Sequence, residues 1–417
     1  MTSLHIPAVG GRYELHQLVI DAPATQLWRA EMRCAAGLRR PVAFKRLQPQ
    51  LAKERGSREA FAREAAALLQ LDHPNVAQLV EFGEDDAGYF LATEWAWGLT
   101  LHDIEQLCAA HDRRPSPVVL AAMGIEVLRA FETAHRRVMR SPNGGAVPAP
   151  LLQRDLSPGA VLLTVRGTVK VTDFGLPRPF TLAALELLGA DDPRVSYLAP
   201  ELAGGGRPSV ASDLYACAVM LWEAMVGRRL WAGVNVPSVF ALLRNGHRPP
   251  RVRELRPDVH PELAQVIDRA MAPSPADRFE SATAFARALG DALRGIPERT
   301  DAARLSWEVT SALQIRQRMI ESWRPPVPSM PVIDYEEEST RQFIAPLPGV
   351  SVDTRQSLVP VEMDEVGSSP PPATLVPDEP RAGRRDSAET VILSTTDLAA
   401  FDEDIVKGRS DVPAASK

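Results

Sequence analysis

Cysteine is scarce in this chain of 417 residues: Cys34, Cys108 and Cys217 are the whole complement. They are odd in number, far apart, and form no CxxC pair. This argues against a disulfide framework and a cysteine-based zinc site, and fits a reducing, cytoplasmic compartment. A basic excess is missing too. The net charge is −6, so no global positive field draws the chain to nucleic acid or to an anionic membrane. The N-terminal stretch MTSLHIPAVGGRYEL lacks a basic region followed by an apolar core, and does not read as a signal peptide. The most apolar internal run, Tyr215 to Val226, is interrupted by Glu223 and is too short to span a bilayer; it predicts a buried helix. The histidines show no metal-ligand spacing.

What is present is enough apolar material for a sizeable core, 45% of the residues, in one large two-lobed domain or a few small ones. Residues 1–12 read as a short leader. Residues 13–294 alternate strand-like and helix-like segments. Residues 295–324 form a helical extension, in which Leu305, Val309, Leu313 and Ile320 recur at helical spacing, as a packed helix or a partner-binding one. Residues 325–417 are rich in Pro and Ser, with 17 acidic against 8 basic residues. Such a tail buries too little apolar surface to offset its ordering entropy, so disorder is expected.

The first third reads as strands at His16–Ile20, Gln26–Glu31, Pro41–Leu47, Ala77–Gly83 and Tyr89–Glu94. One helix interrupts them, with Ser57 as the expected N-cap and Phe61, Ala65, Leu68 and Leu69 at helical spacing up to Leu71. From Leu101 on helices dominate, apart from a strand pair near Val161–Leu163 and Val169–Thr172. A strand-rich lobe followed by a helical lobe (an α+β arrangement) suggests a ligand cleft between the two.

Short motifs then follow in order. VAFK ends at Lys45, and Glu64 stands nineteen residues on, inside the predicted helix. QRDLSPGA centres on Asp155, DFG occupies Asp173-Phe174-Gly175, and APE occupies Ala199-Pro200-Glu201. Asp213 lies in SDLYACAVMLWE and Arg278 in ADRF. This series resembles the protein kinases of bacterial Ser/Thr type, over roughly residues 13–294. The resemblance implies a two-lobed kinase fold, with residues 13–96 as the small β-rich lobe and 97–294 as the larger helical lobe. It also implies ATP and Mg²⁺ as cofactors and a buried Glu201–Arg278 ion pair. By the same likeness Lys45 contacts phosphates and Glu64 holds Lys45. Asp173 ligates the metal, and Asp155 is the base for a substrate hydroxyl. Leu27, Ala43 and Leu162 match positions around an adenine ring. Thr93 matches the gatekeeper, and Glu94, Trp95 and Ala96 the hinge.

The departures from the family pattern concern phosphate handling. Between Leu18 and Ala30 there is no glycine; Ile20, Ala22 and Thr25 stand at the three expected positions, with Pro23 stiffening the turn. Side chains there weaken a cradle of backbone amides. Ser157 replaces a lysine beside the transferred phosphate. Ala160 replaces the asparagine of a second metal ion and has no ligand atom. Gln153 replaces a histidine that packs under Phe174, beside Leu68 and Leu79, and reads as a filler whose amide needs partners. Losing one positioned transition-state contact lowers a rate by about 100- to 1,000-fold.

Three functions follow as expectations. The first is a pseudokinase that signals by interaction and retains weak or single-metal ATP binding. The second is a slow Ser/Thr kinase using Asp155 and Asp173. The third is a kinase-like transferase moving another group from ATP. Protein partners or substrates are expected, with the acidic tail as one meeting point. Its Arg384–Ser387 and Thr390–Asp397 stretches read either as short recognition motifs or as solvated linker. Thr181 and Ser196 read as solvated residues or as phosphorylation sites, with Arg154 as a phosphate partner. Trp95 and Trp97 read as hinge packing.

Overall fold

Five stretches of the first third set β-branched and aromatic residues against polar ones, as strands with one buried face do. The computed structural model describes residues 12–22, 24–140, 145–174, 193–298 and 300–322, and joins these stretches into one antiparallel sheet. The strands are β1 (Tyr13–Asp21), β2 (Thr25–Arg33), β3 (Arg39–Leu47), β4 (Leu79–Asp85) and β5 (Gly88–Glu94), in the spatial order β1-β2-β3-β5-β4. Register decides what each face carries. Lys45 lies opposite Leu27 and Leu91, and Ala43 opposite Thr93, so these side chains share one face. The alternate residues Val42 and Phe44 turn to the other face and close a small core with Tyr13, Phe90 and Ala92. There the rings of Tyr13, Phe44 and Phe90 lie 5.0–5.5 Å apart.

Helix α1 (Arg55–Leu69) crosses between β3 and β4 and buries Phe61, Ala65, Leu68 and, on the same side, Glu64. Its N-cap is Glu54 rather than the expected Ser57, whose hydroxyl lies inside the first turn and donates to Glu54 Oε2 at 3.0 Å. Glu54 and Ser57 stand three positions apart in one polar stretch, and the helix starts after the earlier of them.

The second lobe is built from α2 (Leu101–Ala109), α3 (Pro117–His135), α4 (Val210–Val226), α5 (Val236–Arg244), α6 (Pro261–Ala270) and α7 (Ala282–Arg294). The apolar run is α4, buried from Ser212 to Val226, opened by a Ser209–Ser212 capping box and closed by Gly227 at φ +78°. Strand β6 (Gly98–Thr100) joins the anticipated pair β9 (Val161–Thr164) and β10 (Val169–Val171) as a third strand. Before them β7 (Val138–Arg140) and β8 (Ala146–Pro148) form a hairpin. Three-residue strands are too short to show alternation, so neither feature was visible in the sequence.

Helix α8 (Ala302–Ser322) docks on the domain, against α2 and β9. Leu305, Val309, Ala312 and Ile315 are buried, and Ser306 Oγ donates to the Val165 carbonyl at 2.6 Å. Gly167, in the β9–β10 turn, has φ +76°, and a Cβ there would meet the Ala302 carbonyl oxygen at 1.9 Å. Gly167→Ala is therefore expected to lower stability by about 1–3 kcal/mol. Thermal unfolding and protease sensitivity around Ala302 check this, and an unchanged midpoint would contradict the tight approach of the two backbones. Residues 1–11 of the leader, Pro23, Gly175, Thr181 and the tail lie outside the described residues, as does the side chain of Ile320.

Among the described residues no helix is long and apolar enough to cross a membrane. No disulfide forms there, and Cys108 and Cys217 are buried thiols.

Candidate active site

Alternation along β2, β3 and β5 presents Leu27, Ala43, Lys45 and Thr93 to the space between the lobes, and α1 presents Glu64 from its inward face. Glu94 and Ala96 lie at the crossing between lobes. Asp155 lies in the loop before β9, Leu162 on β9, and Asp173 just after β10. All of them line one cleft of about 310 Å³. At its centre Lys45 Nζ donates to Glu64 Oε1 at 2.6 Å and to Asp173 Oδ1 at 2.8 Å. Burial opposes the lysine's charge, yet Asp173 and Glu64 together raise its pKa above the ordinary value. Burial also works against the Asp173 charge, but the Lys45 ammonium and a 3.0 Å hydrogen bond from Thr172 Oγ1 hold its carboxyl below the usual range. Glu64 is pushed up by burial against the pull of Lys45.

The turn above this centre is tied to itself. The Ala22 amide donates to the Thr25 carbonyl at 3.0 Å, and Gln48 Nε2 bonds the Ala22 carbonyl at 2.8 Å and Asp21 Oδ1 at 2.7 Å. An amide used in this way is not offered to a phosphate, and Asp21 adds negative charge nearby. Ile20, Ala22 and Thr25 line the same cleft.

The loop carrying Asp155 is held from below by Asp213 at the start of α4. Its carboxylate accepts from the Gln153 amide at 2.9 Å and the Arg154 amide at 3.0 Å, and contacts His135 Nε2 at 2.9 Å. Those bonds keep Arg154 at φ +68°, and Asp173 sits at φ +58°. Non-glycine residues in this region are uncommon and persist where their surroundings fix them. Phe174 is fully buried, with its ring 6.1 Å from Phe131. Gln153 is fully buried as well.

Ser157 and Ala160 line the same cleft as Asp173; neither side chain carries a cation, and Ala160 offers no ligand atom. ATP and one Mg²⁺ fit the residues present: apolar walls at Leu27, Ala43 and Leu162, a cation at Lys45, and one anionic carboxylate at Asp173. Several lining residues escaped the sequence reading, namely His102, Lys170, Arg194, Tyr197 and Arg229. Lys170 Nζ donates to Glu94 Oε1 at 2.6 Å, while Arg229 and Tyr197 converge on Glu223. These links are tertiary and leave no local signal. Ser196, read as solvated or phosphorylated, is in fact 3% exposed. Trp95 and Trp97 meet edge to face at 6.0 Å, with the Arg29 guanidinium over Trp97.

A family model for the protein kinase domain matches residues 32–288, well over half of the chain. The chain belongs to the protein kinase family. Its relatives include the tyrosine-protein kinase MasK of Myxococcus xanthus, 33% identical over 67% of this chain and 42% of that protein. The serine/threonine-protein kinase PknA of Mycobacterium tuberculosis is 30% identical over 68% of this chain and 62% of that protein. The chain thus spans less than two thirds of either relative. Among solved structures, the PknI kinase domain of Mycobacterium tuberculosis aligns with a TM-score of 0.52 at 24% identity, over 71% of this chain and 100% of that one. This last likeness concerns the fold alone. The kinase fold accounts for Glu201 and Arg278, which form a two-pronged ion pair at 2.8 and 2.7 Å.

Proposed function

We propose that this chain is a cytoplasmic, nucleotide-binding kinase-fold signalling module, a pseudokinase whose output is interaction with protein partners rather than efficient phosphoryl transfer. The observation that carries this reading is the contrast within one cleft. The Lys45–Glu64–Asp173 cluster that grips a nucleotide is assembled, while Ser157, Ala160 and the tied Asp21–Thr25 turn remove the groups that stabilise transfer. In this reading Lys45 holds the phosphates, Glu64 holds Lys45, and Leu27, Ala43 and Leu162 enclose the base. Thr93, Glu94 and Ala96 form its edge. Asp173 takes one Mg²⁺, which neutralises phosphate charge when bound. The tail, rich in Ser, Pro and acid, serves as a meeting point for partners.

A second reading, slow transfer to Ser or Thr, is favoured by the placement of Asp155 in the same cleft as Asp173, on a loop fixed by Asp213. The names of the relatives, one a tyrosine kinase and one a Ser/Thr kinase, leave the acceptor hydroxyl to experiment.

Thermal unfolding with and without nucleotide tests the first reading. At a hundredfold excess over Kd, ATP with Mg²⁺ is expected to raise the wild-type midpoint by roughly 5–10 °C. Lys45→Met should remove the shift, and a wild type that ignores nucleotide would sink the reading. Incubation with Mg²⁺-ATP or Mn²⁺-ATP, followed by mass measurement, separates the two readings. Label that vanishes in Asp155→Ala favours the second.

A further inference from the structure

The segment between α5 and α6 presents Arg244, Arg248, Arg251 and Arg253, four exposed guanidiniums within ten residues. Exposed arginines are ordinarily solvated or sit beside an acid. None of these four forms an ion pair among the described residues, whereas the neighbouring buried Arg256 pairs with Asp258 at 3.4 Å. The segment is fastened to α4. Trp222 Nε1 donates to the Pro250 carbonyl at 2.8 Å, and Arg256 donates to the Met225 carbonyl. A cleft of about 300 Å³ opens there, lined by Arg248, Arg251, Pro249, Pro250 and Met271. Its two carboxylates are taken by backbone amides. Asp268 Oδ1 accepts from the Val252 amide at 3.1 Å, and Glu254 Oε2 from the Arg251 amide at 3.1 Å. Guanidiniums without acid partners, beside an apolar wall, suit a segment rich in carboxylates.

The chain carries such a segment itself. Asp334, Tyr335, Glu336, Glu337 and Glu338 place four acids in five residues. The tail holds 17 acids against 8 bases while the whole chain has a net charge of −6, so residues 1–324 carry an excess of three bases. We propose that the acidic block 334–338 docks on its own domain, in the cleft lined by Arg248 and Arg251, and covers that cationic face. Lengths allow it. The start of α3 ties the arginine segment to the base of α8: the Pro115 carbonyl accepts from Arg256 Nη1 at 3.4 Å, Ser116 Oγ donates to Glu298 Oε1 at 2.9 Å, and the same oxygen accepts from Arg304 of α8 at 3.1 Å. Helix α8 runs about 30 Å from there. The eleven residues between Ser322 and Asp334 span about 40 Å when extended, so the block can return. A tether of that length holds it at an effective concentration in the millimolar range. The docking is independent of nucleotide binding.

A fluorescent peptide of residues 330–341 tests this by anisotropy, against the full chain in three forms. The first is wild type. The second has its block neutralised by Asp334→Asn, Glu336→Gln, Glu337→Gln and Glu338→Gln. The third adds Arg248→Glu and Arg251→Glu to the second. The peptide should bind the neutralised chain, and bind wild type at least about tenfold more weakly, because the tethered block competes. The third form should lose at least about tenfold in affinity relative to the second. A similar loss should follow when salt is raised from about 50 to about 500 mM on the neutralised chain.

A peptide that ignores the neutralised chain, or binds it and wild type equally, overturns the proposal. That comparison alters only the tail, so it decides even where the third form fails to fold. Binding that survives the arginine reversals, with an unchanged unfolding midpoint, overturns it as well by moving the site off this cleft. A second copy's tail, a nucleic acid and an anionic membrane are the competing occupants. Light scattering that finds a wild-type dimer, absent from the neutralised chain, would assign the block to a second copy. A single-stranded oligonucleotide or a phosphatidylglycerol vesicle that binds wild type as tightly as the neutralised chain would show the face open in the intact protein. Either result overturns the docking, and a monomeric wild type that binds both probes at least about tenfold more weakly than the neutralised chain supports it.

Discussion

Arg278→Ala is expected to destabilise the protein by about 3–5 kcal/mol, the range found when one partner of a buried ion pair is removed. The Arg278 side chain is wholly buried, and its guanidinium spans two parts of the helical lobe. Nη1 and Nη2 clasp both oxygens of Glu201, at 2.8 and 2.7 Å. The remaining donors reach the carbonyls of Ala272 at 2.7 Å, Ala211 at 2.9 Å and Pro273 at 2.9 Å. The guanidinium also lies 4.8 Å from the centre of the Tyr215 ring. Alanine leaves a carboxylate and three carbonyls short of a donor, with a void beside α4. Arg278→Lys keeps the charge but cannot reproduce the fork, so most of the loss should persist. For a domain of this size the drop in midpoint should be roughly 10 °C. Urea or thermal unfolding measures it, and a loss below about 1 kcal/mol would mean that the pair is incidental to stability.

That ion pair was legible in the sequence because APE and ADRF are short, ordered motifs. The same holds for Lys45, Glu64, Asp155 and Asp173, each carried by a motif that the fold brings to one cleft. The apolar run of α4 was legible through its lack of polar positions. Other features depended on tertiary partners. Gln153 announced only that its amide needed satisfying; the Asp155 amide and the Thr172 carbonyl become its partners once the loop and β10 are adjacent. Helix α8 showed an apolar stripe, but whether it docks depends on Gly167, well over a hundred residues away in sequence, leaving room for Ala302. The missing glycines of the β1–β2 turn predicted a weak phosphate cradle. What the sequence withheld was that Gln48, from the end of β3, also ties that turn down. Hairpin β7–β8 left no trace, since three residues do not establish a period.

These bonds also separate two properties that the family normally carries together. Holding a nucleotide needs a cation, an apolar slot and a carboxylate, and Lys45, Leu27, Ala43, Leu162 and Asp173 supply them. Moving a phosphoryl group needs charge neutralised where it develops, and this chain has Ser157 and Ala160 at the positions concerned. On the proposed reading, binding survives where turnover is minimal, and ligand-dependent shape is what remains for signalling.

The corresponding prediction is a gain of function. Ser157→Lys together with Ala160→Asn should raise Asp155-dependent phosphoryl transfer by at least about 100-fold, since each restored transition-state contact is worth about 100- to 1,000-fold and the two act on the same charge. Both positions already line the cleft next to Asp173, so the new groups reach the reacting region without rebuilding the loop. The Asp213 bonds to the Gln153 and Arg154 amides, which hold that loop, involve neither residue. The backbone bond from the Thr172 amide to the Ala160 carbonyl, 2.9 Å, is unaffected by the side chain at 160. The nucleotide-induced thermal shift should grow when Mg²⁺ is present, because the asparagine adds a second metal ligand. Mass measurement of incorporated phosphate, against the same pair of changes in an Asp155→Ala background, isolates the transfer that uses Asp155. A double variant that binds nucleotide and still transfers no faster than wild type would place the block elsewhere, in the tied turn from Asp21 to Thr25, where restoring glycine at Ala22 and Thr25 is the next change to make.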